Sequence, residues 1–364
     1  MGGPERDLDA AGITDPRLRA SYLRARALHA VHGRTYFLAT MLLPPWKRPY
    51  VHALYGFARY ADEIVDDLGS SLSDAERAAW LRGWSRRFLA ALDGRRQSGH
   101  ASPASSSPVA SCAPAQARPH APASSGTSAA DGQLAADSPA THGPWEDGLW
   151  EGEDGAEADG QPGVLPAVLD TIRRFDLPAS HFEAFLESMA MDLTVTGYQT
   201  WEDLMVYVHG SAAVIGLQML PILEPLDDSA HLYARDLGVA FQLANFIRDV
   251  GEDLRRGRVY LPQSSLDLFG VTRERLAAGV VDGPIRRLLA FEIARARELF
   301  RAARPGIRLL HPTSRDCIMV AFRLYSSILD EVERADYQVL DQRVSVGIRT
   351  RLAVAGPAAV RAAR

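Results

Sequence analysis

The chain has 364 residues, 47% hydrophobic and 23% charged, with a formal net charge of −5 and a mean hydropathy of −0.11. These values exclude collagenous and wholly disordered polypeptides, and two cysteines, Cys112 and Cys317, exclude a disulfide-stapled scaffold and fit a reducing cytosol. Lys47 is the only lysine among 40 basic residues, and no basic stripe with interleaved aromatics marks a nucleic-acid binder.

In chain order, the N-terminal MGGPERDLDAAG lacks the apolar stretch of a signal peptide. Asp15-Pro16 supplies an N-cap and an N1 proline for a helix expected to run to Leu43, where Pro44-Pro45 stops it. A second helix is expected from Lys47 to Asp67. Ser73 and Glu76 form a capping box for a third, with Trp80, Trp84 and Phe88 on one face.

From 98 to 163 the composition changes: 42 of these 66 residues are Ala, Ser, Gly or Pro. The stretch carries nine acids and one base, a net charge of −8 that leaves +3 on the other 298 residues. So few large apolar side chains do not offset the entropy of ordering, so a flexible insertion is expected here. Its acidic Trp145–Trp150 portion has the character of a docking peptide without a specified partner.

Helical periodicity then resumes. Two helices flank Leu177-Pro178, and another starts at Thr200 with Asp203 and ends near Leu220. A long one is expected over Asp228–Arg256 before Gly257, then Pro284–Arg301 and Pro312–Ala335. The most apolar stretch, 212–223, is interrupted by Gln218 and Pro221, so no membrane span is expected. No period-2 strand pattern occurs. The expectation is an all-α bundle of about ten helices in a single domain, 1–364, interrupted at 98–163, with any site built from facing helices.

Two acidic clusters carry the chemistry. In the first, Asp62 and Asp66 lie one turn apart, about 6 Å along a helix, and Tyr55 and Arg59 extend the same face. In the second, Asn245, Asp249 and Asp253 recur at i, i+4 and i+8 with Gln242 and Arg248 beside them. Oxygen ligands at this spacing suit magnesium, held by one or two carboxylates and completed by substrate phosphates. Manganese is an alternative. A single acidic pair on a helix is ordinarily a solvated face. Here both clusters sit in mostly apolar helices, where unpaired carboxylates are costly, and the interleaved arginines suit diphosphate oxygens.

At these residues the sequence resembles the squalene/phytoene synthases, most of all bacterial (actinobacterial-type) members. ALYGFARYADEIVDD, Ala53 to Asp67, matches the first aspartate-rich motif, and FQLANFIRDVGEDLRRGRVYLP, Phe241 to Pro262, matches the second. HGRTYF with LLPPWKR resembles the first-helix signature, and AFRLYSSILDEVERADYQVLDQRV, Ala321 to Val344, the C-terminal helix.

The resemblance implies an isoprenoid-synthase-type bundle with a central apolar cavity. It also implies head-to-head joining of two geranylgeranyl diphosphates to phytoene, a prenyl transfer of carotenoid biosynthesis. Asp62, Asp66, Asn245, Asp249 and Asp253 would hold magnesium. Arg59, Gln242, Arg248, Arg258 and Tyr260 would serve the diphosphates, and Tyr55, Tyr207 and Tyr325 would line the cavity. His32, Arg34 and Thr35 would sit where the first helix reaches substrate. Tyr207-Val208-His209 and Ser211-Ala212-Ala213 stand where the family has Tyr-Cys-Tyr and Val-Ala-Gly, which bears on a cavity wall and so on chain length.

The alternatives are a squalene or dehydrosqualene synthase using farnesyl diphosphate, and a non-catalytic assembly protein. Only the squalene reaction calls for NADPH. A cytoplasmic protein in peripheral contact with the inner face of the plasma membrane, near other carotenoid-pathway enzymes, is expected. The arginine-rich end from Arg343 to Arg364 is the contact, or otherwise a solvated tail.

Overall fold

Capping chemistry places the helices. The computed structural model describes residues 3–66, 73–99 and 163–362, and these form α1 (Pro4–Ala10), α2 (Pro16–His32), α3 (Arg34–Thr40), α4 (Arg48–Asp66) and α5 (Asp74–Gly99). After 162 come α6 (Leu165–Arg174), α7 (Ala179–Met191), α8 (Trp201–Val208), α9 (Val214–Leu223) and α10 (Ala230–Arg255). The chain continues with α11 (Gln263–Phe269), α12 (Arg273–Ala277), α13 (Gly283–Ala303), α14 (Pro312–Arg334) and α15 (Ile348–Ala362). The Asp15 carboxylate accepts from the Leu18 amide at 2.8 Å. Thr200 and Asp203 close a reciprocal capping box, as do Ser73 and Glu76. Among the described residues there is no strand, only isolated bridges at Gly197–Val259 and Pro225–Leu310.

The structure departs from the periodicity in four places. The helix expected from Pro16 to Leu43 breaks at Gly33, because the His29 and Tyr55 rings press against that Cα and a Cβ there would lie 2.6 Å from each. The helix after Thr200 runs on to Leu223 through a π turn at His209–Ala213. The segment between Pro262 and Asp282, which carries no strong period, folds as α11 and α12. The C-terminal end is a helix, α15, with Ala355 and Ala358 buried. The expected insertion lies outside the described residues except at its edges. There α5 reaches Gly99, and the Gly163 carbonyl accepts from the buried Ser21 hydroxyl at 2.6 Å. Asp67 and Trp145–Trp150 also lie outside.

The buried side chains form one cluster. Phe57 of α4 is its aromatic centre, with Trp84 and Phe88 of α5 and Phe182 and Phe185 of α7 at ring separations of 4.9–5.7 Å. Trp201–Leu223 is the one described helix long and apolar enough to cross a bilayer, and 61% of its apolar window is buried inside the protein.

Small residues let that helix lie against α10. A Cβ on Gly216 would fall 2.2 Å from the Ala234 carbonyl oxygen, and one on Gly238 would fall 2.4 Å from that of Ala212. Gly216→Ala is therefore expected to destabilise by about 1–3 kcal/mol through overpacking. Gly83→Ala, whose new methyl would approach nothing closer than Arg87 at 3.7 Å, should stabilise α5 by about 0.5–1 kcal/mol. Denaturant unfolding of both variants tests the contrast.

Candidate active site

The close contacts of α9 and α10 adjoin an apolar cavity. Its walls are Leu54, Tyr55 and Ala58 of α4, Ile215 and Met219 of α9, Phe241, Gln242 and Asn245 of α10, and Tyr325 of α14. Its volume is about 270 Å³, near the lower end of the ~300–1,000 Å³ of ordinary small-molecule pockets, and its length sets it apart. It touches α10 from Ala230 to Asn245, a distance of about 22 Å at the helical rise. Ala230, Ala234 and Gly238 line it at four-residue spacing, so the helix face that a larger core residue would fill is left as space.

Helical register then fixes where the acids fall. Asp62 is one turn beyond Ala58 and two beyond Tyr55; Asp249 is one turn beyond Asn245 and two beyond Gln242. Both acidic faces therefore stand above the polar end of the cavity, on the two helices that bound it. Arg59 donates to Asp62 at 2.6 Å and lies 3.8 Å from Glu63. Arg248 grips Asp249 through Nε at 2.8 Å and a terminal nitrogen at 2.5 Å. Burial by itself would raise the Asp249 carboxyl, but Arg248 and Arg343 together hold it below its ordinary value. Asp66 occupies the next turn of α4 after Asp62, and Asp253 the next turn of α10 after Asp249.

Arg343 is a residue that spacing did not reveal. It makes a fork to Asp249 at 2.8 and 3.1 Å, arriving from 94 residues away. The chain reverses after α14 through Asp336 and Tyr337, both in the left-handed region at φ 53° and 61°. It then crosses α10 at Gly251, whose amide donates to the Val339 carbonyl at 3.1 Å. A Cβ on Gly251 would meet the Leu340 carbonyl oxygen at 2.1 Å, so only glycine lets the strap lie close enough for Arg343 to reach.

The remaining expected residues divide. Tyr55, Tyr325, Gln242 and Asn245 line the cavity, and Tyr325 stacks on Phe241 at 4.2 Å. Tyr207 is not among the lining residues: it is buried, and its hydroxyl donates to Asp192 at 2.7 Å. Tyr260 donates to the same carboxylate at 2.7 Å, and Arg258 lies close enough to act on its hydroxyl. On the first helices His32 and Arg34 are exposed and Thr35 half-buried, and Tyr36 is the cavity-lining residue of that segment. His209 is exposed, so the wall where the sequence departs from the family it resembles is made by Ser211 and Ala212.

His29, one turn before His32, was also missed. It is fully buried, stacks on Tyr55 at 4.1 Å and pairs with His52, Nδ1 to Nδ1 at 2.9 Å.

The described residues contain no cluster of three carboxylate, histidine or cysteine side chains poised for a metal. The donor set nevertheless fits a hard cation. Magnesium takes oxygen ligands and needs only one or two carboxylates when substrate phosphates complete its shell. Asp62, Asn245, Asp249 and Asp253 supply such oxygens from both helices, with arginines in reach.

A model of the squalene/phytoene synthases matches residues 29–350. The chain belongs to the squalene/phytoene synthase family. Family relatives include a phytoene synthase of Arthrospira platensis, 30% identical over 90% of this chain and 88% of the relative. A 15-cis-phytoene synthase of Synechococcus elongatus is 29% identical over 90% and 89%. Two solved structures share the fold. One is a dehydrosqualene synthase bound to a ligand, at a TM-score of 0.69 and 20% identity over 94% of this chain and 97% of that one. The other is a squalene synthase of Alicyclobacillus acidocaldarius, at 0.61 and 24% over 90% and 98%. The isoprenoid-synthase-type bundle expected from the motifs is thus the fold observed.

The histidine pair of this family member makes a pH prediction. Burial, with the Arg26 charge, holds His29 down at about 3 from its ordinary 6.5. Burial and the His29 ring hold His52 well below 6.5. Above 6.5 both are neutral folded or unfolded and contribute no pH dependence. Below it the unfolded chain binds protons that the folded one refuses, so stability falls as pH drops from 6.5 toward 3. Thermal melts between pH 7 and 5 should show this loss, and His52→Gln should reduce it.

Proposed function

We propose that the chain is a phytoene synthase, a prenyltransferase that condenses two geranylgeranyl diphosphates head to head. One observation carries this: a long apolar cavity ends between two helix faces that bear acids and arginines in alternation. A prenyl diphosphate has the same polarity, a hydrocarbon tail and an anionic head.

The residues divide the work accordingly. The cavity side chains of α4, α9 and α10 hold the tails and exclude water, so an allylic cation formed within it is not quenched. Arg59, Arg248 and Arg343, each on a carboxylate, can transfer to phosphate oxygens as a diphosphate arrives. Asp62, Asp66, Asn245, Asp249 and Asp253 would hold magnesium, or manganese in its place. Bound there, the cation would neutralise the leaving diphosphate. Tyr55 and Tyr325 bound the cavity next to the acidic faces, where charge develops and reacting carbons must be aligned. One substrate loses its diphosphate, the double bond of the other attacks the allylic cation, and loss of a proton closes a cyclopropylcarbinyl diphosphate, prephytoene diphosphate; loss of its diphosphate, rearrangement and loss of a second proton give phytoene.

We place this reaction at the inner face of the plasma membrane, in one cytoplasmic domain interrupted at 98–163, beside enzymes that take up the product. In support, α15 exposes Ile348, Leu352 and Val360 along with Arg349, the mixture that favours an anionic bilayer surface. Sedimentation with vesicles should show binding to anionic lipid, lost on Ile348→Asp/Leu352→Asp and absent with neutral lipid.

Incubation with magnesium and either geranylgeranyl or farnesyl diphosphate, with and without NADPH, should yield phytoene from the former without NADPH. A product formed only from farnesyl diphosphate would refute the reading. Asp62→Ala and Asp249→Ala should each lower turnover on the order of 10³-fold or more with an unchanged circular-dichroism spectrum at the assay temperature, and retained activity in either would refute the metal assignment.

A further inference from the structure

One carboxylate outside both acidic clusters gathers the two tyrosines that do not line the cavity. Asp192 caps the C-terminus of α7, and each of its oxygens takes one phenol: Oδ2 from Tyr207 and Oδ1 from Tyr260, both at 2.7 Å. The donors come from different parts of the chain, 15 and 68 residues away. Both phenols are under a tenth exposed, as is Tyr198. The three rings pack together, Tyr207 lying 5.5 Å from Tyr198 and 5.4 Å from Tyr260.

The backbone fixes this arrangement. The Val259 amide donates to the Thr196 carbonyl at 2.9 Å and the Gln263 amide to the Tyr198 carbonyl at 2.8 Å. These bonds lay the segment that carries Tyr260 alongside the stretch that follows Asp192. The cluster touches the site at two points. Tyr260 stacks flat on Phe246 at 4.2 Å, and Phe246 directly follows Asn245 and precedes Asp249 by three residues. Tyr207 lies one turn before Ser211, which lines the cavity. The Arg258 amide meanwhile donates to the Asp253 carbonyl at 2.9 Å, joining the Tyr260 segment to the end of the second acidic stripe.

We infer that Asp192 is a positioning residue of the active site: by binding the Tyr207 and Tyr260 hydroxyls at once, it fixes α8 and the 258–260 segment relative to the acid-bearing face of α10. A carboxylate suits the task, since it accepts two hydrogen bonds and donates none. Burial, and then the Asp192 charge, push both phenols above their ordinary value, so they remain donors throughout the working pH range. Two charge-assisted bonds to one buried-edge carboxylate are stronger than two neutral ones. The inference rests on the prenyl-transfer reading, because it assigns Asp192 a role in that reaction.

The test is a kinetic cycle on the full chain with geranylgeranyl diphosphate and magnesium: Asp192→Asn, Asp192→Glu, Tyr207→Phe/Tyr260→Phe, and the triple variant. Asp192→Asn keeps the shape but cannot accept from both phenols. It should lower kcat about 10²-fold while KM moves less than about threefold, and Asp192→Glu should recover part of the loss. In the Tyr207→Phe/Tyr260→Phe background the Asn substitution should cost less than about twofold more, because the partners it acts through are gone. Full activity in Asp192→Asn would overturn the inference. So would a loss that multiplies in the triple variant, since Asp192 would then act independently of the tyrosines. Should Asp192→Asn not fold, the double tyrosine variant decides from the other side, and full activity in it would overturn the inference equally. Wild-type protein that makes no prenyl product would overturn the parent reading, which none of the variant outcomes does.

Discussion

The site depends on one juxtaposition: a surface that must stay dry adjoins one that must stay charged. A prenyl diphosphate demands both, and the protein meets the demand with single helices. On α4, Tyr55 and Ala58 face the cavity and Asp62 stands a turn further on; on α10, Gln242 and Asn245 do so and Asp249 stands a turn further on. Because the helix is continuous through both regions, the distance from hydrocarbon wall to carboxylate is set by helical rise, not by loop conformation. Rigid elements of this kind hold a reacting head group more closely than loops do.

The same constraint explains the glycines and alanines of the bundle. Space for a tail requires that facing helices lack side chains along one stripe, and stability requires that they touch elsewhere. Ala230, Ala234 and Gly238 provide the stripe on α10. Gly216 and Gly238 also provide the touching, at backbone distances that admit no Cβ. The π turn at His209–Ala213 shifts the register between Tyr207 and Val214 by one residue. Tyr207 therefore faces Asp192 while Ser211 and Ala212 face the cavity, and π turns of this kind are frequent at functional sites.

Much of this was legible in the sequence because it is local. Capping boxes at Ser73 and Thr200, the acid stripes, and the apolar faces are all patterns within one or two turns, and each fell where the pattern put it. The parts that were not legible are contacts between distant segments. Asp192 looks like an ordinary helix-ending acid until Tyr207 and Tyr260 are brought to it. Arg343 belongs to a tail by composition, and only the strap over Gly251 carries it to Asp249. His29 and His32 are both plausible on the same helix, and only the approach of Tyr55 to Gly33 shows that His29 is the interior one. The helix Trp201–Leu223 is long and apolar enough to cross a bilayer, and 61% of its apolar window is spent inward in the fold.

The second acidic face is held in a charged, paired state. Asp62, on the first, is half-exposed and pairs with Arg59, which also lies 3.8 Å from Glu63. Asp249, on the second, is largely buried and carries two guanidiniums, those of Arg248 and Arg343. Both arginines present donors whose geometry matches phosphate oxygens, so both would be free to turn to a diphosphate if Asp249 were engaged by a cation. One of the two comes from the C-terminal strap, and Arg343 is there only because Gly251 lets that strap approach.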